Sequence, residues 1–182
     1  MNIIVISCSL HPMSRSYILA LQTVEELKRH NAEVQLYDLR DYTLEFSDAV
    51  AAHKTDEAKI IIEAIRGASA VLMAVPIYNY DVNSAAKNLL ELGLKAWNNK
   101  LVGFLCAAGG RASYMSVMGL ANSLMLDFRC LIVPRFVYAT GSDFGDDRTE
   151  TMYLASDQIK DRLRELSETT VQLSKALEIA AY

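Results

Sequence analysis

Residues 3–16 read I-I-V-I-S-C-S-L-H-P-M-S-R-S, and a helical pattern starts directly behind them. Four consecutive branched aliphatics without polar alternation are the mark of a parallel strand covered on both faces. The strand ends in hydroxyl residues and opens into a helix N-terminus, where unpaired backbone N–H groups and the positive end of the helix dipole coincide. That junction attracts an anion. Ser7, Ser9, Ser14 and Ser16 each offer a hydrogen bond to phosphate oxygens, and Arg15 adds a charge with fork geometry. One serine suffices to cap a helix; four hydroxyls and an arginine exceed that need.

Four further segments belong to the same architecture: E-V-Q-L-Y-D at 33–38, S-A-V-L-M-A-V at 69–75, L-V-G-F-L-C-A at 101–107 and C-L-I-V-P-R-F-V-Y at 130–138. Only 33–38 alternates, which suits an edge strand. Helical patterns lie between them. Tyr17, Leu21, Val24 and Leu27 share one face of the first, Ile61, Ile62 and Ile65 one face of the second, and Ile159, Leu163, Leu166, Leu173 and Leu177 recur along a last helix from about residue 150. Alternating strands and helices predict a three-layer, doubly wound α/β fold with a five-stranded parallel sheet and right-handed crossovers. Ligands of such sheets bind at the carboxyl ends of the strands, beside the switch point. Pro12, Pro76 and Pro134 are expected at or just after strand ends, where a missing N–H costs nothing.

No composition break divides the 182 residues, so a single domain over 1–182 is expected, large enough to bury roughly 70% of its unfolded surface. A net charge of −4 without any basic run argues against nucleic acid as partner. No apolar run reaches the ~20 residues that a bilayer requires, and no leader pattern precedes the first strand, so a cytoplasmic protein without a membrane partner is expected. Cys8, Cys106 and Cys130 are far apart, and His11, His30 and His53 are scattered, so structural thiols and no metal are expected. Helices expected at 83–97 and 112–128 carry apolar residues most of the way round, including Leu94, Tyr114, Met118 and Met125. Either these helices are buried within the monomer or they meet another subunit, and of the two a homodimer, or a dimer of dimers, is expected.

Three turns that come after strands one, three and four should meet at one edge of the sheet. The first is the hydroxyl-rich turn. The second is P-I-Y-N-Y-D at 76–81, where Tyr78 and Tyr80 offer ring surfaces and Asn79 an amide suited to the edge of a heterocycle. The third is A-A-G-G-R-A-S at 107–113, whose paired glycines permit positive φ and let backbone N–H groups approach a ligand closely.

On these residues the chain resembles the NAD(P)H-dependent FMN reductase family of flavodoxin-like proteins. That family's phosphate loop has the form G-S-x-R-x-x-S-x-N; residues 8–16 match at Ser9 and Ser14, with Cys8 in place of the glycine, His11 of the arginine and Ser16 of the asparagine. Its P-x-Y-N signature followed by L-K-N is matched by 76–79 and by A-K-N at 86–88. Its diglycine loop leading to a V-P strand is matched by Gly109, Gly110, Ser113 and Val133-Pro134. The resemblance implies that Ser9, His11, Ser14, Arg15 and Ser16 hold the FMN phosphate. It likewise implies that Pro76, Ile77, Tyr78, Asn79, Gly109, Gly110 and Arg111 line the isoalloxazine.

The same resemblance implies FMN as cofactor and NAD(P)H as hydride donor, with electrons passed to a small-molecule acceptor such as a quinone, an azo compound, a metal ion or a second flavin. Such chemistry demands stacking and orientation more than a protein acid or base, so no catalytic side chain is expected. Two rivals stand beside it. A low-molecular-weight phosphatase would use Cys8 as nucleophile in a C-x5-R loop, but Arg15 lies one residue too far along. An electron-carrier flavodoxin would bind flavin without turnover.

Overall fold

The four aliphatics of the opening run divide their side chains between two cores, and this division builds the layers. Ile3 and Val5 face one side of the sheet, Ile4 and Ile6 the other, and all four are fully buried. A strand has a side-chain period of two, so an unbroken apolar run is what a sheet covered on both faces requires. Each such side chain contributes roughly 1.5–3 kcal/mol of burial.

The computed structural model describes residues 1–180. Its elements run β1 (Asn2–Ser7), α1 (Arg15–Arg29), β2 (Glu33–Asp38), α2 (Asp56–Gly67), β3 (Ala70–Tyr78), β4 (Asp81–Val82), α3 (Ser84–Gly93), β5 (Leu101–Ala108), α4 (Met118–Phe128), β6 (Leu131–Ile132), β7 (Val137–Thr140), β8 (Phe144–Gly145), β9 (Tyr153–Leu154) and α5 (Asp157–Ala180). The sheet order is β2-β1-β3-β5-β6, all parallel, with β7 also on β5 and β4 folded back antiparallel on β3. Leu19 and Leu27 of α1 and Leu163 and Leu166 of α5 pack on the face that holds Ile3 and Val5. Ile61, Leu89 and Leu124, from α2, α3 and α4, cover the face that holds Ile4 and Ile6. This is the flavodoxin-like three-layer fold, and β2 takes the edge as its alternation predicts. Among the described residues no helix is long and apolar enough to cross a membrane.

Several expectations change in detail. The strand expected over 130–138 is two pieces, β6 and β7, because Pro134 has no N–H to give the ladder and Arg135 turns left-handed at φ 60°. Pro76 does not follow a strand end; it sits inside the central strand β3. Ala74 gives its carbonyl to Cys8, the first residue after β1, so two residues further on β1 has ended and Pro76 costs no ladder bond. The Pro76 carbonyl instead accepts the N–H of Asn83. The buried face of α1 is rotated from the expected one: Ser16, Leu19, Ala20, Thr23, Val24 and Leu27 point inward, while Leu21 is exposed. The helix expected from 112 starts as a 3-10 turn, Arg111–Val117, before α4, and the last helix begins at Asp157. Within α3, α4 and the turns beside them, Leu89, Leu90, Trp97, Leu120 and Leu124 are buried in the monomer. Leu94, Tyr114, Met115, Met118, Met125 and Leu126 stay exposed.

Candidate functional site

The carboxyl ends of β1, β3 and β5 deliver three turns to one edge, and a cavity of about 460 Å³ opens between them. Ser9, Ser14, Arg15 and Ser16 line it from the first turn, Pro76, Ile77, Tyr78, Asn79 and Tyr80 from the second, and Ala107, Ala108, Gly109, Gly110, Ala112 and Ser113 from the third. Ten of the twelve residues expected at a site thus converge. His11 and Arg111 do not line the cavity. His11 is exposed, and its Nδ1 accepts the Met13 N–H at 3.0 Å. Arg111 borders a neighbouring cleft with Tyr114, Arg135, Phe136 and Arg162.

In the first turn, Ser14 is the extended N-cap of α1 and its Oγ accepts the Tyr17 N–H at 3.1 Å. Its hydroxyl also meets Ser16 Oγ at 3.0 Å. Ser9 Oγ accepts the His11 N–H. All three serines are buried, so their hydroxyls are held in fixed places beside the helix end. The N–H groups of Arg15 and Ser16, the first two of the helix, have no acceptor within the helix by construction. Arg40, from the turn after β2, stacks on the Tyr17 ring and donates to the Pro12 carbonyl at 2.8 Å, which braces the turn from outside.

Arg15 reaches the cavity wall with its fork already engaged. Its Nε donates to Asp147 Oδ1 at 2.7 Å, Nη2 donates to Oδ2, and Nη1 reaches the Ala108 carbonyl at 3.3 Å. The guanidinium holds the Asp147 carboxyl below the usual carboxylate range, chiefly through the side-chain hydrogen bond. Gly141 makes room for this contact, since a Cβ there would stand 2.6 Å from Nη2.

The second turn is a tight hairpin, with Asn79 and Tyr80 both left-handed at φ 52° and 62°. Two positive φ values match the natural twist of a two-residue hairpin, but Tyr80 has no amide side chain to ease the strain. The third turn contradicts the expectation of positive φ at its glycines. Gly110 is extended at φ −160°, and no glycine among the described residues is left-handed. A Cβ at Gly109 or Gly110 would meet no atom within 4 Å, so the protein itself leaves that space open. Tyr138 OH donates to the Gly110 carbonyl; having one proton, it accepts from Ser113 Oγ at 2.7 Å.

Cys8 does not join the site. It is fully buried in the core, its Sγ–H directed at the Ile6 carbonyl, and burial with the nearby Asp38 pushes its thiol far above the ordinary range. A thiolate nucleophile at this position, as the phosphatase reading requires, has no physical support. Arg148 lines the cavity from the loop between β8 and β9. Residues 139–150 are polar and irregular, and their sequence reads first as a solvated loop and second as a contact from Phe144, Asp146, Asp147 and Arg148 to the nicotinamide or a neighbouring subunit; the hairpin's return toward the first turn brings Arg148 in.

The sequence model described as "NADPH-dependent FMN reductase" matches residues 1–145. A curated relative from Geobacillus thermodenitrificans (strain NG80-2), named NAD(P)H-dependent FAD/FMN reductase, is 26% identical over 170 residues, covering 91% of this chain and 89% of its own. Among solved structures, RosB with a bound 8-demethyl-8-formylriboflavin-5'-phosphate superposes with a TM-score of 0.78 at 18% identity, over 100% of this chain and 82% of that one. FerB from Paracoccus denitrificans, a flavoenzyme NAD(P)H:(acceptor) oxidoreductase, superposes at 0.74 with 17% identity, over 96% and 97% of the two chains.

Proposed function

The chain belongs to the NADPH-dependent FMN reductase family, and we propose that the cavity between its three strand-end turns is the flavin site of an FMN-dependent NAD(P)H oxidoreductase. The observation that carries this reading is the pairing of two unlike sets of groups in one cavity. Buried hydroxyls at a helix N-terminus contribute one part of the lining, and Pro76, Ile77, Ala107 and two unobstructed glycines another. The donor set suits a phosphate, and the open faces of Gly109 and Gly110 suit a planar ring.

Bound there, FMN supplies the two-electron chemistry, hydride acceptance from a nicotinamide and release of electrons to an acceptor. The chain's own part is positional. Ser9, Ser14 and Ser16, with the first N–H groups of α1, hold the phosphate, and the helix dipole favours its charge. Pro76 and Ile77 support one side of the ring, Tyr78 and Tyr80 shield it from water, and Asn79 and the glycine backbone bond its polar edge. Arg15 ties the first turn to the third turn and to the β8–β9 hairpin, which fixes the two ends of the cavity relative to one another.

The acceptor is proposed as a small molecule, a quinone, azo compound, metal ion or free flavin, entering past the exposed Tyr80. The whole chain is read as one domain, because α5 packs on the same core as α1. A homodimer is supported by the exposure of Met115, Met118, Met125 and Leu126 on α4 and the turn before it.

Titration with FMN, followed by flavin fluorescence, and NAD(P)H oxidation with an added quinone test the reading. Saturable quenching and steady consumption of many equivalents of NAD(P)H are expected. Failure to quench removes the flavin site, and a single stoichiometric reduction without turnover leaves an electron carrier instead.

A further inference from the structure

We propose that Arg148, on the β8–β9 hairpin, supplies the positive charge that grips the flavin phosphate, a charge that the first turn does not offer from its own side chains. The inference rests on the reading of the cavity as an FMN site. A phosphate monoester is nearly dianionic at neutral pH, and hydroxyls with a helix end answer it only with partial charges. Charge-assisted bonds to a guanidinium are roughly twice as strong as neutral ones.

Each other basic side chain near the turn lies outside the cavity or is paired. His11 lies outside the cavity and is tied into the turn through the Met13 N–H. Arg15 lines the cavity, but its fork is closed on Asp147, and the pair is neutral as a unit. Arg40 lies outside the lining and is paired with Asp38.

Arg148 both lines the cavity and has no carboxylate partner among the described residues. It lines the cavity with Ser9, Ser14 and Ser16, and its Nη1 donates to the Met13 carbonyl at 2.7 Å, one residue before the Ser14 cap. That bond uses one of five guanidinium donors and leaves the others for a ligand. Among the described residues no carboxylate lies within ion-pair distance of it; Asp147, its chain neighbour, feels its charge but bonds Arg15 with both oxygens. The backbone of Arg148 is left-handed at φ 63°, with its N–H on Met152 Sδ at 3.4 Å. A non-glycine residue in that region is strained, and the hairpin holds it there. The bond to the Met13 carbonyl holds the side chain beside the Ser14 cap.

The discriminating experiment compares FMN with riboflavin, which has the same ring and no phosphate, on wild type, Arg148→Gln and Arg148→Lys. Arg148→Gln is expected to weaken FMN on the order of tenfold to a hundredfold and to leave riboflavin unchanged. Arg148→Lys recovers part of the loss. FMN affinity of the wild type should also fall more steeply with salt than that of Arg148→Gln. Equal weakening of FMN and riboflavin assigns Arg148 a merely structural role and overturns the proposal, as does an unchanged FMN affinity. A wild-type protein that binds riboflavin and FMN equally also overturns it while the flavin site stands; one that binds neither overturns the flavin reading first.

Discussion

Arg15 and Asp147 stand 132 residues apart in the chain and meet as fork and carboxylate at the wall of the cavity, with Nε 2.7 Å from Oδ1. The contact joins the first turn of α1 to the β8–β9 hairpin, so the hairpin that carries Arg148 is anchored through the residue beside it. That arginine, which reads in the sequence as a phosphate ligand, lines the cavity and ties the two segments together at its wall.

Asp147→Asn should lower stability by no more than about 1 kcal/mol at neutral pH, because the pair is partly exposed. The pH dependence has a definite sign. The folded carboxyl lies below its unfolded value, so its contribution is fully present above about pH 4 and disappears as pH falls through the folded pKa. Urea unfolding of both proteins should show a gap at neutral pH that closes in acid. A gap that widens on acidification contradicts the pairing.

Tyr80 is 69% exposed and left-handed at φ 62°, a conformation that costs an L-residue roughly 1–2 kcal/mol. Tyr80→Gly removes that strain but gives the unfolded chain more freedom, so a net gain of about 1 kcal/mol or less is expected. FMN binding should weaken in the same variant, since the ring that shields the ligand is gone. Thermal unfolding and flavin titration on one preparation separate the two effects.

Burial, first of all, raises all three thiols: Cys130 to about 11, and Cys8 and Cys106 further still. Iodoacetamide at about pH 8 should leave the native protein unmodified and alkylate three cysteines once urea unfolds it. Aryl phosphate hydrolysis should be absent. Rapid native labelling of Cys8 would restore the phosphatase reading.

Strand positions are legible wherever the apolar run is unbroken, because residues such as Ile3 to Ile6 need cover on both faces and only one architecture provides it. Legibility falls where proline or tertiary contact intervenes. Pro134 splits a run that otherwise reads as one strand, and Pro76 sits in a central strand only because β1 ends at Ser7, a fact of register rather than of local sequence. At the site, the serines and glycines are readable from turn chemistry. The conformation of the diglycine is not, since neither glycine is left-handed while Asn79, Tyr80 and Arg148 at the same cavity are. The Arg15–Asp147 contact at the cavity wall spans 132 residues, which no local pattern encodes.

Leu126 is 76% exposed on α4, whose Met118 and Met125 are also exposed. Leu126→Lys places a charge where a second subunit would have to bury it, at a cost of several kcal/mol to association and little to the monomer fold. Sedimentation should show the wild type as a dimer and the variant shifted to monomer with an unchanged melting temperature. A monomeric wild type removes the dimer.

Gly110 separates stability from ligand affinity most cleanly. Its backbone is extended at φ −160°, which any residue adopts, and an added Cβ would meet nothing within 4 Å. Gly110→Ala should therefore leave stability within about 0.5 kcal/mol of wild type. The same methyl group projects into the space that the planar ring is proposed to fill, so FMN affinity should fall by about tenfold, equivalent to about 1.4 kcal/mol. Riboflavin should weaken by the same factor, because the clash is with the ring and not the phosphate. That pattern is the opposite of the one expected at Arg148, and the two variants together assign the ring and phosphate ends of the cavity. If Gly110→Ala binds both flavins as tightly as wild type, the diglycine turn is not where the ring lies.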